Sequence, residues 1–593
     1  MPAHLSKFLA RTGHADSWSL HRWSIEHSDD FWRELASFAS LPQADVDFNF
    51  AEILLRGDGH QQALLFRNEA GERTEWTRDE LHQWVATYAA LMQKHGLQPG
   101  DRVAAYLPNR PETIALMLAA ASIGAIWSSC SPDFGVQGVI DRFGQIEPKL
   151  LFSTARYSFA GKSFELRRRL DEIKGKLQNL KQIILVEDIE PSEANLAFTQ
   201  FPHRHPLFIL YSSGTTGAPK CIVHSTGGTL LQIVKEHLLH VDLLPNERLF
   251  YYTTCGWMMW NWLAVGLASG ATLVLYDGSP MYPDPGVLWR MAEADSIKHF
   301  GTSAKYLALL EKNGYRPAQH HDLSALRQVI STGSPLAPES FDYVWRDIKP
   351  GISVASISGG TDIVSCFVLG NPLLPVHRGE LQCAGLGMDV QVWNAQGERI
   401  WDIPGELVCT NRFPSMPLGF WNDPDGTKYR AAYFDRFPGT WHHGDWATQN
   451  SSTLGFVIHG RSDNTLNPGG IRIGTAEIYR QVETIPEIED SVAVAQEWCG
   501  DQRIVLFVKL REHCELTPGL ISRIQSTLRT QASPHHVPKK ILAVSAIPRT
   551  VSGKISESAV RDAIHGRSSA NLSALANPEC VKEFQARMEL LYD

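Results

Sequence analysis

Helical and strand-like segments alternate along the chain from about residue 76 to residue 200. Residues 76–96 have the apolar spacing of a helix, and residues 111–124 that of a buried helix with a proline near its start. Short apolar runs at 149–153 and 181–187 are typical of buried strands. Strands separated by helices favour α/β layers with parallel strands. The sequence therefore predicts an α/β fold.

The length and the changes of pattern along the chain predict more than one domain. A chain of 593 residues is too long for a single hydrophobic core. We expect an N-terminal segment at 1–75 and a large domain of layered α/β subdomains at 76–462, which includes a β-rich part at 382–460. After the sequence GRSDN the pattern becomes that of a small α+β unit, so a C-terminal domain is predicted at 463–593.

Composition argues against several classes of protein. The net charge is −9 and no long run of Lys and Arg occurs, which disfavours a nucleic-acid partner. No apolar run has the length of a membrane-spanning helix, and the first residues lack the apolar core of a signal peptide. Nine cysteines without a Cys-x-x-Cys pair predict reduced thiols in the cytoplasm. The histidine pairs at 320–321, 442–443 and 535–536 are interpreted as solvated or locally hydrogen-bonded.

The strongest chemical signal is a strand, a loop and a helix within residues 206–240. The loop is made of small hydroxyl residues and glycines, and it ends in a lysine. Such a loop can direct several N–H and O–H groups toward one anion, and phosphate is the natural guest. The order of residues differs from that of a Walker A loop. The residues predicted to bind phosphate are Ser212, Ser213, Gly214, Thr215, Thr216, Gly217 and Lys220.

Five later sequence motifs, taken together with this loop, resemble those of a known enzyme family. They are SGGTD (358–362), WHHGDWA (441–447), GRSDN (460–464), GGIRIGTAEI (469–478) and PRTVSGK (548–554). Together, and in this order, they resemble the adenylate-forming enzymes, the family of acyl- and aryl-CoA synthetases, peptide-synthetase adenylation domains and luciferases. The resemblance covers about residues 100–565. It implies that ATP activates a carboxylate as an acyl-adenylate and that the thiol of coenzyme A then displaces AMP.

The resemblance also implies roles for individual residues. Lys554, Thr361 and Arg472 are the expected catalytic residues, with Lys554 as the main cation on the α-phosphate and the acyl carboxylate. Asp362 is the expected Mg²⁺ ligand, and Asp445 is expected to accept the ribose hydroxyls. The residues expected to contact ATP or AMP, besides the loop, are Gly333, Ser334, Pro335, Ser358, Gly359, Gly360, Thr361, Asp362, Asp445, Arg461 and Arg472.

A movement of the small domain is a further implication. Lys554 and Arg472 lie beyond the hinge expected at Asp463, so one mobile domain would serve both half-reactions. Gly469 and Gly470 are expected to face coenzyme A, because glycine lets the backbone approach a ligand closely. Arg529 matches a family position that can pair with a phosphate of coenzyme A.

The acid is expected to occupy a pocket lined by Trp257, Met258, Met259 and Gly359. Acetyl-CoA synthetase, a member of the family, has a tryptophan at the place of Gly359, so its absence here predicts a deeper pocket. The segments 255–262 and 415–423 resemble the branch that activates acetoacetate. Butyrate, 3-hydroxybutyrate and propionate remain alternatives, since an apolar slot separates such acids weakly.

Two other classes of function stay open. One is a nucleotide-binding regulatory protein without chemistry, which retention of Lys554, Asp445 and Arg461 disfavours. The other is a domain that loads a carrier protein, which the lack of a following carrier motif disfavours. Acetylation of Lys554 by a lysine acetyltransferase, reversed by a deacetylase, is a hypothesis taken from relatives.

Overall fold

The computed structural model describes residues 3–212, 219–462, 466, 473–498, 501–531, 536–551, 553–569 and 572–592. The chain begins with the helices α1 (Ala3–Thr12), α2 (Ser17–Glu26), α3 (Ser28–Phe38) and α4 (Phe50–Leu54). The next elements are β1 (Gln62–Asn68), β2 (Arg73–Thr77), α5 (Arg78–Lys94), β3 (Arg102–Tyr106), α6 (Pro111–Ser122), β4 (Ile126–Cys130), α7 (Val136–Ile146), β5 (Leu150–Ser153), β6 (Arg156–Phe159), β7 (Lys162–Glu165), α8 (Arg167–Lys176) and β8 (Gln182–Leu185).

A second α/β run follows. It contains β9 (Pro206–Ser212), β10 (Lys220–Ser225), α9 (Thr226–Lys235), β11 (Arg248–Tyr251), α10 (Met258–Val265), β12 (Thr272–Asp277), α11 (Val287–Ala294), β13 (His299–Ser303), α12 (Ala304–Lys312), β14 (Gln328–Thr332), α13 (Pro338–Tyr343) and β15 (Ser353–Ser356).

The remaining elements form small antiparallel sheets and the C-terminal unit. The first group is β16 (Ser358–Gly360), β17 (Ser365–Leu369), β18 (Cys383–Ala384), β19 (Val390–Trp393), β20 (Gly405–Cys409), β21 (Gly419–Phe420), α14 (Thr427–Tyr433), β22 (Trp441–Gln449) and β23 (Phe456–Arg461). The second is α15 (Thr475–Val482), β24 (Ile488–Trp498), β25 (Asp501–Leu510), α16 (Pro518–Gln531), β26 (Lys540–Ala543) and α17 (Glu557–Ile564).

Two seven-stranded sheets form the frame of the large domain. One has the strand order β15-β14-β13-β11-β12-β1-β2, and the other β21-β10-β9-β4-β3-β5-β8. Most of their strands pair in parallel, whereas β2, β10 and β21 are antiparallel to their neighbours. The α/β prediction is therefore confirmed.

The main core lies between these two sheets. Helix α6 is buried along almost its whole length, and α10 joins the same apolar cluster together with inward-facing residues of both sheets. The N-terminal helices α1–α4 pack against this cluster as well. The division predicted after residue 75 falls within β2, and β1 pairs in parallel with β12. Residues 62–75 are thus part of the first sheet.

The C-terminal unit has its own core. Ile478, Val482 and Ile485, predicted to share one face, are all buried against the sheet formed by β24, β25 and β26. This unit is the α+β arrangement that the sequence predicted. Throughout the described ranges, no helix combines the length and the apolar character that crossing a bilayer requires.

Candidate active site

The predicted site residues of the large domain come from four separate strands. Lys220 begins β10, Asp362 follows β16, Asp445 lies on β22 and Arg461 ends β23. The antiparallel pairing of β22 with β23 places Asp445 directly opposite Arg461. Tertiary pairing therefore brings together residues that are far apart in the sequence.

Asp362 is held as a carboxylate by its surroundings. The Tyr433 hydroxyl donates a hydrogen bond to Oδ1, and Lys220 and His443 lie close enough to act on the charge. Burial raises the pKa of Asp362, but Lys220, His443, Tyr433 and Arg461 together outweigh it, so that the pKa is lowered overall. The Lys220 amine in turn lies 5.4 Å from the ring centre of Tyr433.

The Asp362 carboxylate is also the expected ligand of Mg²⁺. Among the described residues, Oδ2 of Asp362 accepts no hydrogen bond, and no group of three or more His, Cys, Asp or Glu side chains could hold a metal by itself. Mg²⁺ usually takes one or two protein carboxylates together with phosphate oxygens. One ionised aspartate with a free oxygen therefore fits Mg²⁺ bound together with a nucleotide.

Asp445 and Arg461 form the second part of the site. Arg461 Nη1 donates to Asp445 Oδ1 and to the carbonyl oxygen of His443, both at 3.1 Å. Gly444 has a φ of +80°, and an added Cβ there would lie 2.8 Å from Arg461 Nη2. The positive φ favours glycine at this position, and an added methyl group would also require the Arg461 guanidinium to shift.

Lys554 reaches this cleft from the small domain. It ends a tight turn in which Thr550 N–H donates to the Lys554 carbonyl at 2.8 Å, and Gly553 has a φ of +81°. Arg549 holds the turn by donating to the Gly553 carbonyl at 2.6 Å while it pairs with both carboxylate oxygens of Asp490.

The surroundings of the Lys554 amine show where it points. Desolvation by the cleft walls lowers its pKa, and Arg461 adds to this effect, whereas Asp445 and Asp362 oppose it. The residue as a whole remains exposed. Lys554 therefore faces the cleft that contains both carboxylates.

The predicted adenine and acyl walls adjoin each other. Gly333 follows β14 with a φ of +96°, and an added Cβ would lie 3.6 Å from the indole of Trp257. Ser334 is exposed, and Pro335 is half-buried. Met258 and Met259 begin α10 and are buried.

The prediction that Gly359 leaves an open volume is wrong. A Cβ added at Gly359 would lie 2.1 Å from the carbonyl oxygen of Ser365 and 2.5 Å from Cα of Cys366. The direction of a side chain at this position is filled by the backbone of β17, so Gly359 permits a close pairing of β16 with β17. This strand borders the site at Gly360, where an added Cβ would lie 3.4 Å from His443, and through the backbone of Gly359, which hydrogen-bonds to His443.

Several predicted residues are outside the part of the chain that the structure describes. These are Ser213, Gly214, Thr215, Thr216 and Gly217 of the phosphate loop, together with Asp463, Gly469, Gly470 and Arg472. Arg529 is exposed on the last turn of α16. Ser212 and Lys220, which flank the loop, face each other across the pairing of β9 with β10.

Sequence reasoning missed two residues of the site, Tyr433 and His443. His443 is 6% exposed, and its ring lies within the cleft rather than in solvent. One signal could have identified it: residues two apart on a strand share a face, and His443 stands two residues before Asp445. Its neighbour His442 points away and contacts Glu406 at 2.9 Å.

Comparison with known proteins extends over nearly the whole chain. Residues 55–416 match the AMP-binding enzyme family, and residues 481–554 match the AMP-binding enzyme C-terminal domain. The acetoacetyl-coenzyme A synthetase of Rhizobium meliloti (strain 1021) is 52% identical, over 97% of this chain and 94% of that protein. The acetoacetyl-CoA synthetase of Gallus gallus is 44% identical, over 96% and 93%.

A solved structure agrees with these matches. The acetoacetyl-CoA synthetase from Streptomyces lividans superposes with a TM-score of 0.93 at 40% identity, and the match covers 98% of this chain and 97% of that one. These matches cover both the large and the small domain.

Proposed function

Because this chain belongs to the AMP-binding enzyme family, and within it to the acetoacetyl-CoA synthetases, we propose that it joins acetoacetate to coenzyme A at the expense of ATP. The products are acetoacetyl-CoA, AMP and pyrophosphate, and the intermediate is an acyl-adenylate. The observation that carries this proposal is the convergence of Lys554, from the small domain, with Asp362, Asp445 and Arg461.

In the first half-reaction the acid needs no general base, since a carboxylate is ionised at neutral pH. One carboxylate oxygen forms a bond to the α-phosphorus, and the bond from that phosphorus to the pyrophosphate oxygen breaks. The obstacle is the approach of one anion to another, so fixed positive charge must stabilise the transition state. Lys554 supplies that charge in our proposal, and Arg461 and Lys220 add to it.

The nucleotide is held from two sides. Asp445 accepts the ribose hydroxyls, for which a carboxylate that is already oriented by Arg461 is suited. Asp362 would hold Mg²⁺, which would supply further positive charge to the phosphates. Thr361, on the same turn, donates a hydrogen bond from its hydroxyl group to the phosphates.

In the second half-reaction the thiolate of coenzyme A bonds to the acyl carbon, and the bond from that carbon to the phosphate oxygen of AMP breaks. We propose that the small domain turns about Asp463 between the two halves and brings Gly469, Gly470 and Arg529 to the pantetheine path. The proposal includes acetylation of Lys554 by a lysine acetyltransferase and a cytoplasmic location.

The acid is tested by a panel of acetoacetate, butyrate, 3-hydroxybutyrate, propionate and acetate, followed by pyrophosphate release and AMP formation. We expect acetoacetate to have the highest kcat/KM, by about 10-fold or more over each other acid. An equal or higher kcat/KM for another acid would assign the enzyme to that acid. AMP formation with none of them would favour a regulatory nucleotide-binding protein.

A further inference from the structure

His443 lies between the two carboxylates of the cleft. It shares one face of β22 with Asp445, and its Nε2 is 3.7 Å from Asp445 Oδ2. On its other side the ring borders Gly360, where an added Cβ would lie 3.4 Å from Cε1 of His443 and 3.5 Å from Asp362 Oδ2. The imidazole therefore adjoins both the strand before Asp362 and the carboxylate proposed to hold the ribose.

The protonation of His443 follows from its contacts. The indole N–H of Trp441 donates to Nδ1 at 3.4 Å, so Nδ1 is the acceptor and the proton of the neutral ring is on Nε2. Burial lowers the pKa of His443 below its ordinary value of 6.5. Trp441 thus fixes a neutral imidazole whose one N–H group has two neighbouring acceptors, the backbone of Gly359 and the Asp445 carboxylate.

Asp445 has a different neighbour on each of its oxygens. Oδ1 accepts from Arg461 at 3.1 Å, and Oδ2 faces the Nε2 of His443 at a distance that exceeds a hydrogen bond. Hydrogen bonds of an active site are often long before the ligand binds and shorten in the complex. We propose that His443 is a positioning residue of the nucleotide site, whose neutral Nε2–H orients the Asp445 carboxylate toward the ribose.

The choice of a neutral donor has a physical reason. A second cation at Oδ2 would compete with the ribose hydroxyls for the negative charge of Asp445. A carboxylate at the place of His443 would repel Asp445. A neutral N–H orients the oxygen and leaves it able to accept a further hydrogen bond. The inference rests on the proposed role of Asp445, and it adds a residue to which the family resemblance assigned no role.

A purely structural role is the competing explanation. The His443 ring packs edge-to-face on Phe367, with ring centres 4.8 Å apart, and could simply fill space. Two substitutions separate the explanations. His443→Gln keeps an N–H group near the position of Nε2, whereas His443→Phe keeps a ring without a donor.

We expect His443→Phe to raise the KM for ATP and the Kd for AMP about tenfold, with kcat changed less than about threefold, and His443→Gln to restore most of the affinity. His442→Phe, on the opposite face of the same strand, is the matched control and should leave both constants near those of the wild type. If His443→Phe does not fold, the smaller His443→Leu replaces it. Equal affinity of the Gln and Phe variants would overturn the proposal.

Deoxynucleotides test whether the effect passes through the ribose. With the wild type, we expect 2′-deoxy-ATP or 3′-deoxy-ATP to have a KM about tenfold higher than that of ATP. With His443→Phe, we expect the same replacement of ATP to raise the KM less than about threefold, because the substitution and the missing hydroxyl remove the same interaction. If the KM increases caused by the deoxynucleotide and by His443→Phe multiply in full, His443 does not act through the ribose. Calorimetry with AMP and 2′-deoxy-AMP gives the same comparison without any acid, so it stands even if acetoacetate is not the substrate.

Discussion

Lys554 is the residue whose removal should separate the two half-reactions. We expect Lys554→Ala to slow ATP–pyrophosphate exchange with acetoacetate by about 10²–10³-fold, since one preorganised charge at the reacting phosphate is lost. The variant should still convert preformed acetoacetyl-adenylate and coenzyme A into acetoacetyl-CoA. Lys539→Ala, which removes an exposed lysine of the same domain, should leave both rates unchanged. Equal loss of both half-reactions in Lys554→Ala would contradict this division.

Tyr433 should stabilise the protein in a pH-dependent way through Asp362. The pKa of Asp362 is lower in the folded protein than its ordinary 3.8, so its ionised form adds stability above that pH, and this stability is lost as the pH falls through the folded pKa. Tyr433→Phe keeps the stacking on Trp441, with ring centres 3.9 Å apart, but loses the hydroxyl. We expect it to cost about 1–3 kcal/mol at pH 7, and we expect this cost to shrink only as the pH falls below 3.8 through the folded pKa of Asp362.

Thermal unfolding of the two proteins at pH 7 and at a series of pH values below 3.8 measures this difference. Tyr429→Phe, on the same helix, is the control for loss of a tyrosine hydroxyl and should show no such pH dependence. A destabilisation of Tyr433→Phe that is as large at the lowest pH of this series as at pH 7 would exclude Asp362 as the partner that matters.

Single residues were predictable where a short motif fixes the chemistry. Asp445, Arg461 and Lys554 each stand in such a motif, and the fold brings them to one cleft. Tyr433 stands 71 residues after Asp362, and no local pattern connects a helix tyrosine with that carboxylate. A contact of this kind depends on the tertiary fold, so the sequence alone did not indicate it.

At the level of elements, the hairpin of β16 and β17 depends on Gly359. A methyl group there would meet the Ser365 carbonyl oxygen at 2.1 Å, and the hairpin cannot withdraw freely because the buried Glu236 accepts hydrogen bonds from Ser365 Oγ and Cys366 N–H. We expect Gly359→Ala to lower stability by about 1–3 kcal/mol, as overpacking does elsewhere. A larger residue should unfold the hairpin rather than reshape the acyl pocket.

The matched control is Gly360→Ala, whose added methyl group would make an ordinary contact of 3.4 Å with His443. Thermal unfolding should place this variant close to the wild type and Gly359→Ala well below it. An unfolding temperature of Gly359→Ala equal to that of the wild type would show that the strand can shift and would reopen the question of a pocket there.

Elements with strong local spacing were predicted well, whereas their order in the sheets was not predictable. The helices expected at 76–96 and 111–124 are α5 and α6, because apolar periodicity and a first-turn proline are local signals. By contrast, Leu64 of β1 pairs with Leu273 of β12. Such a register is decided by packing between distant segments, and for this reason the first sheet was not recognised as beginning before residue 75.

For the molecule as a whole, α12 links the large domain to the small one. The Lys312 amine donates to the carbonyl oxygens of Ile488 and Glu489. Lys305 of the same helix lies near Glu483 and Asp490, and burial raises the pKa of Glu483 to about 7. These contacts exist in the arrangement in which Lys554 faces Asp445 and Asp362, so they stabilise the arrangement that we propose for adenylation.

Lys312→Ala should therefore change the balance between the half-reactions. Loss of about 1 kcal/mol from one domain arrangement shifts the population by about fivefold. We expect ATP–pyrophosphate exchange to fall about three- to fivefold while the conversion of preformed acetoacetyl-adenylate to acetoacetyl-CoA is unchanged or faster. Lys94→Ala, which removes an exposed lysine of α5, is the control for loss of a positive charge. If both half-reactions slow equally in Lys312→Ala, the contact supports the fold and does not select a domain arrangement.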